Sequence, residues 1–136
     1  MYEVQSMRER GLRPVLMGDF NISRSHQDAH PRLRLQPEHV LSREHFNDEV
    51  MPGMGVVDVY REGAGPDGRA YSWFSYGRPT GEDCYRVDFA LADKHLYEGG
   101  KVKMEYLAQV KDSRGDVYSD HAPMKLELDL PSNEAD

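Results

Sequence analysis

The stretch RPVLMGDFNIS, residues 13–23, ends an apolar run with two polar side chains. Its apolar residues predict a strand that leads to Gly18, with a proline tolerated near the start. Asp19 and Asn21 follow, separated by one phenylalanine. Because side chains at i and i+2 of an extended chain project to the same side, both polar groups aim at one point beyond the strand. Such a pair can orient a water molecule and accept its proton. An Asx turn that merely ends the strand is the alternative.

The bulk composition is that of a globular domain. A length of 136 residues predicts one domain, and 38% hydrophobic with 30% charged residues excludes the collagenous and disordered classes. No apolar run approaches the length that crosses a bilayer, and the N-terminus lacks the apolar core of a secretory signal. The single cysteine, Cys84, cannot form an internal disulfide. This favours a reducing compartment, the cytoplasm or the nucleus.

The charge balance is acidic, with 24 Asp and Glu against 17 Lys and Arg and a net charge of −7. Because phosphate repels an acidic surface, this balance disfavours nucleic acid unless a basic face or a cation intervenes. Segment 23–39 is the candidate basic face, since it carries Arg24, Arg32, Arg34 and three histidines against two acids. An ordinary solvated loop is the alternative.

The periodicity predicts two helices and six strands. The first helix covers YEVQSMRERG and closes at Gly11, and the second covers SREHFNDEVMPGMG, with Ser42 as N-cap and Pro52-Gly53 at its end. This pattern predicts an α/β or α+β fold with a mixed or antiparallel sheet, at least one sheet face left uncovered, and a frayed tail over residues 131–136. Besides the strand before Gly18, strands are predicted over 55–60, 70–76, 85–92, 101–110 and 123–130.

Two further motifs place a carboxylate beside other polar groups. In YSDHAP, residues 118–123, Asp120 is suited to a hard cation and His121 to a phosphate oxygen, although a surface turn fits the motif equally well. In YRVDFALAD, residues 85–93, Asp88 interrupts an apolar strand. A buried carboxylate needs a partner, either a histidine that it holds in one tautomer or an arginine such as Arg86.

The stretch AYSWFSY, residues 70–76, is rich in aromatic side chains. Aromatic strands usually pack into a core. The alternative is that one of these rings lines a pocket for a sugar or a base.

Five blocks, VLMGDFNIS, VVDVYR, YSWFSY, YRVDFALAD and YSDHAPM, resemble in sequence and order the second half of the exonuclease III-like AP endonucleases. These enzymes belong to the endonuclease/exonuclease/phosphatase superfamily, and the resemblance spans roughly residues 10–128. It implies half of a four-layer α/β sandwich over residues 1–130. It also implies hydrolysis of a phosphodiester with Mg²⁺ or Mn²⁺, on DNA with an abasic site or a 3′ end, as in base excision repair.

The resemblance implies a role for each polar residue of the motifs. Asp19 looks like the group that activates the attacking water, with Asn21 beside it at the phosphate. Asp120 matches the aspartate on the metal side of the site, which Asp19 and Asn21 also border. His121 matches the histidine that contacts the scissile phosphate, and Asp88 matches the carboxylate that orients it.

The resemblance also implies substrate contacts. Trp73 and Tyr85 fall near positions where family members place rings around the abasic sugar, although the family more often has Trp where Tyr85 stands. Arg24 is the basic residue assigned to the substrate.

The family is roughly twice as long as this chain. Its first half supplies an Asn and a Glu that bind the metal, a catalytic Tyr and the rest of the sandwich, whereas here seventeen residues precede Gly18. This implies a C-terminal half with little activity alone, completed by a missing N-terminal half or a second chain. Two alternatives stay open: a phosphoesterase on RNA or a soluble phosphoester, favoured by the acidic charge, and a non-enzymatic remnant, favoured by the absent Glu.

Overall fold

The computed structural model describes residues 1–31, 33, 39–75 and 83–131. Arg32, Arg34, the end of the predicted strand 70–76 and the predicted tail from residue 132 onward lie outside these ranges. The helices are α1 (Tyr2–Glu9), α2 (Val40–His45), α3 (Met51–Met54), α4 (Val59–Ala64) and α5 (Lys94–Glu98), with a 3₁₀ turn at His26–Asp28 and a π-helical segment at Phe46–Val50. The strands are β1 (Val15–Asp19), β2 (Val56–Asp58), β3 (Trp73–Phe74), β4 (Cys84–Tyr85), β5 (Asp88–Asp93), β6 (Val102–Tyr106) and β7 (Met124–Leu128).

Strand β5 is the centre of the molecule. It pairs antiparallel with β1 on one side and with β2 on the other, so the sheet order is β1-β5-β2. Two further antiparallel pairs, β3-β4 and β6-β7, complete the strand pairing in the described part of the chain. The predicted α/β class with few helices and antiparallel strands is therefore confirmed.

Both faces of β5 carry core side chains, and all six of its residues are buried. On one face Phe89 and Leu91 pack with residues of α1 and of the helical segment 40–54; on the other, Ala90 and Ala92 pack with Val59 and Val102. The prediction of an uncovered sheet face is wrong at β5, because α4, α5 and the β6-β7 pair cover the second face. At the edge strand β1, Met17 stays 44% exposed.

The second predicted helix has different ends. Helical structure starts at Val40, so Ser42 lies inside α2 and is not its N-cap. Pro52 lies just after the π-helical segment Phe46–Val50, from which α3 continues without a break, and the helix goes on to Met54. Gly55 ends it with a φ of 65°, and a Cβ there would lie 2.7 Å from an Nη2 atom of Arg8. Glycine is therefore required at this helix end.

Helix α4 interrupts the predicted strand 55–60, and helix α5 follows β5. The predicted strand 55–60 stops at Asp58, whose carboxylate accepts the Arg61 N–H and caps α4. Asp93 ends β5 and accepts the N–H groups of His95 and Leu96, which caps α5. An aspartate at the end of each strand thus converts an extended chain into a helix.

Arg8 attaches α1 to the body of the domain. Its guanidinium donates to the carbonyls of Met54 and Gly55 and forms a 2.8 Å ion pair with buried Asp93. Within the described residues, no helix has the length and apolar character that a membrane span needs.

Candidate active site

The ends of β1 and β5 bring two of the predicted site residues together. Asp19 closes β1 and pairs in register with Asp88, the first residue of β5. His121 reaches them from the segment before β7, because its backbone forms a bridge to Trp73 in β3. One ligand atom from each of Asp19, Asp88 and His121 lies within 4.8 Å of the others. Residues that are up to 102 positions apart in sequence (121 − 19) therefore meet at one end of the sheet.

The imidazole of His121 is held by Asp88. Its Nδ1 lies 2.8 Å from Oδ2 of Asp88, and Asp88 is only 7% exposed. Of the two partners considered for this buried carboxylate, the structure has the histidine and not Arg86. The contact fixes the ring with Nδ1 toward Asp88, so that Nε2 is left to face the surface of the site.

Two further carboxylates face Nε2 of His121. Oδ2 of Asp19 and Oδ1 of Asp120 each lie 4.0 Å from it. Burial lowers the pKa of His121, but the hydrogen bond to Asp88 and the charges of Asp88, Asp19 and Asp120 outweigh it, and the pKa is raised above 6.5. The site thus favours the imidazolium, which donates from Nε2 to any anion that enters.

Asp19 and Asn21 form a turn at the end of β1. The Asn21 backbone N–H donates to Oδ1 of Asp19 at 2.8 Å, and Asn21 has a φ of 53°. The Asx turn, the alternative considered for this motif, is therefore present, and it turns the chain out of the extended conformation at Asn21. A left-handed residue that is not glycine costs on the order of 1 kcal/mol, and such strain collects at functional sites.

Asp120 is oriented by Trp73. The indole N–H of Trp73 donates to Oδ2 of Asp120 at 2.9 Å, which leaves Oδ1 turned toward His121. The rings of Trp73 and Tyr85 are cross-strand neighbours with centroids 6.0 Å apart. Both predicted substrate rings therefore stand side by side, and Trp73 also bonds directly to a predicted metal-side residue.

A cavity of about 180 Å³ adjoins the site next to Asn21. Tyr85 and Val87 form its wall on the β4–β5 side, and Arg43 enters from α2 while its Nε donates to the Ser23 carbonyl. Its lining carries no carboxylate among the described residues. The lining residues are Asn21, Ile22, Ser23, His39, Ser42, Arg43, Tyr85 and Val87.

Arg24 does not face this site in the structure. Its guanidinium bonds to Oδ1 of Asn47 at 2.8 Å and to Oδ2 of Asp58 at 2.9 Å, and 21% of the side chain is exposed. These contacts favour a structural role for Arg24 over contact with a substrate.

The sequence patterns missed a buried charge cluster beneath the site. Arg86 has no exposed surface and bonds to Asp28 at 2.7 Å and to Asp58 at 2.6 and 2.9 Å, while Arg61 adds a second bond to Asp28. We call these residues, with Arg24, the Arg86 cluster. The one local signal was that Arg86 alternates with Asp88 in an apolar strand; its partners lie 28 and 58 positions away.

Charged neighbours within the Arg86 cluster shift the pKa values of Asp58 and Arg86. Burial raises the pKa of Asp58, but hydrogen bonds and charges from Arg86 and Arg24 outweigh it, and the net effect lowers the pKa. The pKa of Arg86 is raised, because the two aspartates outweigh the effect of burial. Asp58 and Arg86 are therefore held in their charged forms, paired with each other.

Cys84 lies in β4 and is 1% exposed. Burial, assisted by the charge of Asp83, raises the pKa of its thiol to about 11. At neutral pH the side chain is therefore the protonated thiol, a small buried apolar group.

The oxygen atoms that remain open fit a hard divalent cation. Carboxylate oxygens are preferred ligands of Mg²⁺ and Mn²⁺, and Asp19 and Asp120 each have one oxygen 4.0 Å from Nε2 of His121. Asp19, Asp88 and His121, whose ligand atoms lie within 4.8 Å of one another, are a weaker candidate for the cation site. The Oδ2 atom of Asp88 is already in contact with Nδ1 of His121 at 2.8 Å.

By sequence, no family model and no curated protein matches the chain. Solved structures do match. A 3′ phosphatase, NExo, from Neisseria, solved bound to a product DNA hairpin, has a TM-score of 0.69 at 24% identity over 95% of this chain and 49% of that one. The 3′-5′ exonuclease NExo from Neisseria meningitidis gives 0.66 at 25% identity, over 95% and 50%. The catalytic domain of Xenopus laevis APE2 gives 0.65 at 22%, over 96% and 42%.

The chain has the fold of the exonuclease III-like AP endonucleases. The resemblance carried by GDFN, RVDF and SDH is confirmed at the level of the fold, and with it the superfamily sandwich. The chain spans about half the length of the solved structures that it matches. The described residues contribute to this fold one three-stranded sheet, with β5 at its centre, and two further strand pairs.

Proposed function

We propose that this chain is the C-terminal half of a divalent-metal-dependent phosphodiesterase that acts on DNA, at abasic sites or 3′ ends, inside the cell. The observation that supports it best is the environment of His121. One ring nitrogen is anchored to buried Asp88, and the other faces two carboxylates at 4.0 Å. This arrangement combines a cationic donor for a phosphate oxygen with two acceptors for a metal ion and a proton.

Each residue has a defined task in this proposal. Asp19, whose Oδ1 is fixed by the Asn21 N–H, takes the proton of the attacking water through Oδ2. Asn21 positions that water at the phosphate. His121 donates from Nε2 to a non-bridging oxygen, and Asp88 keeps the ring in the required orientation.

Asp19 and Asp120 would hold Mg²⁺ or Mn²⁺, with Asn21 at the border of the site. The chemistry that such an ion supplies is neutralisation of the negative charge on the phosphate oxygens. Trp73 contributes by fixing the rotamer of Asp120, which leaves one oxygen of that carboxylate turned to the site.

DNA is the proposed substrate for two reasons. The matched structures include a 3′ phosphatase bound to a product DNA hairpin, a 3′-5′ exonuclease and an AP endonuclease from Leishmania major. The adjacent rings of Trp73 and Tyr85, and the cavity beside them, whose described lining residues include no carboxylate, offer a surface on which an unpaired sugar or base can stack.

We expect little or no activity from the chain alone, because it spans about half of its structural neighbours. The test compares the chain with the product of any in-frame coding sequence found upstream of Met1. Both are assayed with Mg²⁺ or Mn²⁺ on an abasic duplex and on a duplex with a 3′ phosphate. The expected result is cleavage by the longer product, lost in Asp19→Asn. Inactivity of the longer product on every DNA phosphodiester would overturn the proposal.

A soluble phosphoester or RNA is the second candidate substrate. The net charge of −7, together with the engagement of Arg24 by Asp58, favours it over a long DNA duplex. The salt dependence of binding separates the two candidates. A protein that neutralises several phosphates loses affinity steeply as salt rises, whereas a slope near zero for DNA would favour the small substrate.

A further inference from the structure

Ser72 occupies the junction between the two segments that carry Asp88 and His121. It has no exposed surface, and it lies immediately before β3, whose Trp73 pairs with His121. Its backbone N–H donates to the Tyr85 carbonyl at 2.9 Å. None of the motifs in the sequence assigned this residue a role.

The Ser72 hydroxyl accepts two backbone hydrogen bonds at the start of β5. The N–H groups of Val87 and Asp88 donate to its Oγ at 2.9 and 3.0 Å. The side chain serves here because the strand ladder is broken: β4 ends at Tyr85, and β5 starts at Asp88. Two buried donors would otherwise have no acceptor, and an unpaired buried donor is much costlier than the loss of one ordinary hydrogen bond.

The backbone carbonyl of Ser72 holds the other segment. It accepts the Ala122 N–H at 2.8 Å, and two residues later the Phe74 N–H donates to the Asp120 carbonyl at 2.9 Å. His121 lies between these two attachment points. One residue therefore binds the chain at Asp88 through its side chain and the chain next to His121 through its backbone.

We propose that Ser72 is a positioning residue that sets the distance between the Asp88 carboxylate and the His121 imidazole. For its effect on catalysis, the inference rests on the proposed phosphodiesterase function. The geometry itself stands independently of that function, since it concerns the contact of 2.8 Å between these two side chains.

Tyr106 provides an internal comparison. Its hydroxyl donates to the Asp88 carbonyl at 2.6 Å, so both backbone polar groups of Asp88 are held by side chains. Among the described residues, Tyr106 forms no hydrogen bond with residues 119–122, whereas Ser72 bonds to Ala122. Loss of the Tyr106 hydroxyl should therefore loosen one side of the contact, and loss of the Ser72 hydroxyl should move Asp88 relative to a His121 segment that stays attached.

The test is proton NMR of the 136-residue chain in a chelating buffer. An imidazole Nδ1–H that donates to a carboxylate resonates far downfield of the amides, and the signal of His121 is assigned by its loss in His121→Gln. In Ser72→Ala we expect this signal to shift upfield or broaden beyond detection, with faster amide exchange at Val87 and Asp88. In Ser72→Thr, which keeps the hydroxyl, we expect it to return.

Three controls keep a local effect apart from general destabilisation. Ser113→Ala alters an exposed serine and should leave the spectrum unchanged. Tyr106→Phe should leave the exchange of the Ala122 amide at its original rate. Amides of the β6-β7 pair report the stability of the whole domain, and they should lose less protection in Ser72→Ala than the amides of Val87 and Asp88 do.

An unchanged downfield signal in Ser72→Ala would overturn the inference, as would equal loss of protection in β6-β7, because the role would then be general stability. In the active protein, Ser72→Ala should lower kcat about 10- to 100-fold with little change in KM, as for partners that orient a catalytic group. Inactivity of the longer, in-frame product would refute the proposed function, but the NMR result would still decide the role of Ser72.

Discussion

The Arg86 cluster and the site around His121 contain the same kinds of side chain but differ in how their charges are bound. In the cluster, Arg86 is fully buried, and Asp28 and Asp58 are bound from two sides. At the site, Asp19 and Asp120 each keep an oxygen 4.0 Å from the nearest cation, too far for a hydrogen bond. Charges that satisfy one another stabilise the fold, whereas charges left partly unsatisfied are available to a ligand. This difference predicts which substitutions affect folding and which affect function.

The largest expected effect is on stability, at the cluster. Arg86→Met leaves Asp28 and Asp58 buried without their main partner, so the free energy of unfolding should fall by about 3–5 kcal/mol. Urea denaturation measures it. Arg114→Met is the matched control, because its side chain is 80% exposed and the change should stay within about 0.5 kcal/mol. Equal unfolding midpoints for the two variants would contradict the assignment.

Removing a site carboxylate should have the opposite profile. Asp19→Asn keeps an oxygen that accepts the Asn21 N–H, so stability should change by less than about 0.5 kcal/mol, while kcat of the active protein should fall about 10²- to 10⁴-fold. Asp58→Asn should destabilise the chain by about 1.5–3 kcal/mol through its charged hydrogen bonds. If Asp19→Asn were as destabilising as Asp58→Asn, the distinction between the two regions would be wrong.

A smaller effect is expected at Trp73. Trp73→Phe keeps an aromatic ring but removes the N–H that fixes Asp120, so the affinity for Mn²⁺ should fall about 10-fold. Isothermal titration calorimetry measures it. Tyr118→Phe, at a residue that is 73% exposed, serves as the control and should bind as the parent does. Identical affinities in Trp73→Phe and the parent would remove Asp120 from the metal site.

The smallest effects are on the pH dependence of stability, which should have opposite signs for the Arg86 cluster and for the site around His121. The lowered pKa of Asp58 means that the unfolded chain binds more protons, so its contribution is complete above 3.8 and is lost as the pH falls through the folded value. The raised pKa of His121 means that its contribution is complete below 6.5 and is lost as the pH rises through the folded value.

Urea midpoints measured from pH 3 to pH 9 with a chelator present test both signs. His121→Gln should flatten the fall in stability at the upper end, and Asp58→Asn should flatten the fall at the lower end. A parent chain that grows more stable from pH 6 to pH 8, with His121→Gln showing the same rise, would contradict the histidine assignment.

The convergence of Asp19, Asp88 and His121 was expected from the resemblance of their motifs to a known family, whereas period-two alternation alone placed Asp19 at the end of one strand and Asp88 within another. Asp19 lies in register with Asp88 because the end of β1 is opposite the start of β5 in an antiparallel pair. The roles assigned to these residues, and to Asn21, Asp120 and Tyr85, stay predictions until activity is measured.

Other features depended on contacts that no local pattern contains. Helix α4 was missed because Asp58 was assigned to the strand 55–60, and helix α5 was missed because no element was assigned to the residues after the strand 85–92. An aspartate after an apolar run is also an N-cap signal, which both Asp58 and Asp93 carry. Arg86 was considered only as a partner for Asp88, since its actual partners become neighbours only in the folded chain. The role of Ser72 depends on where β4 stops and β5 starts, which the apolar pattern of 85–92 did not reveal.

Cys84, the single cysteine of the sequence, lies in β4 beside the site around His121. It is 1% exposed, and the pKa of its thiol is raised to about 11. A thiol reagent can reach it only when β4 separates from its neighbours, because burial protects the sulfur and the folded environment keeps it protonated. The rate at which this one sulfur is alkylated, followed by mass spectrometry, would therefore report how often the strands next to His121 open.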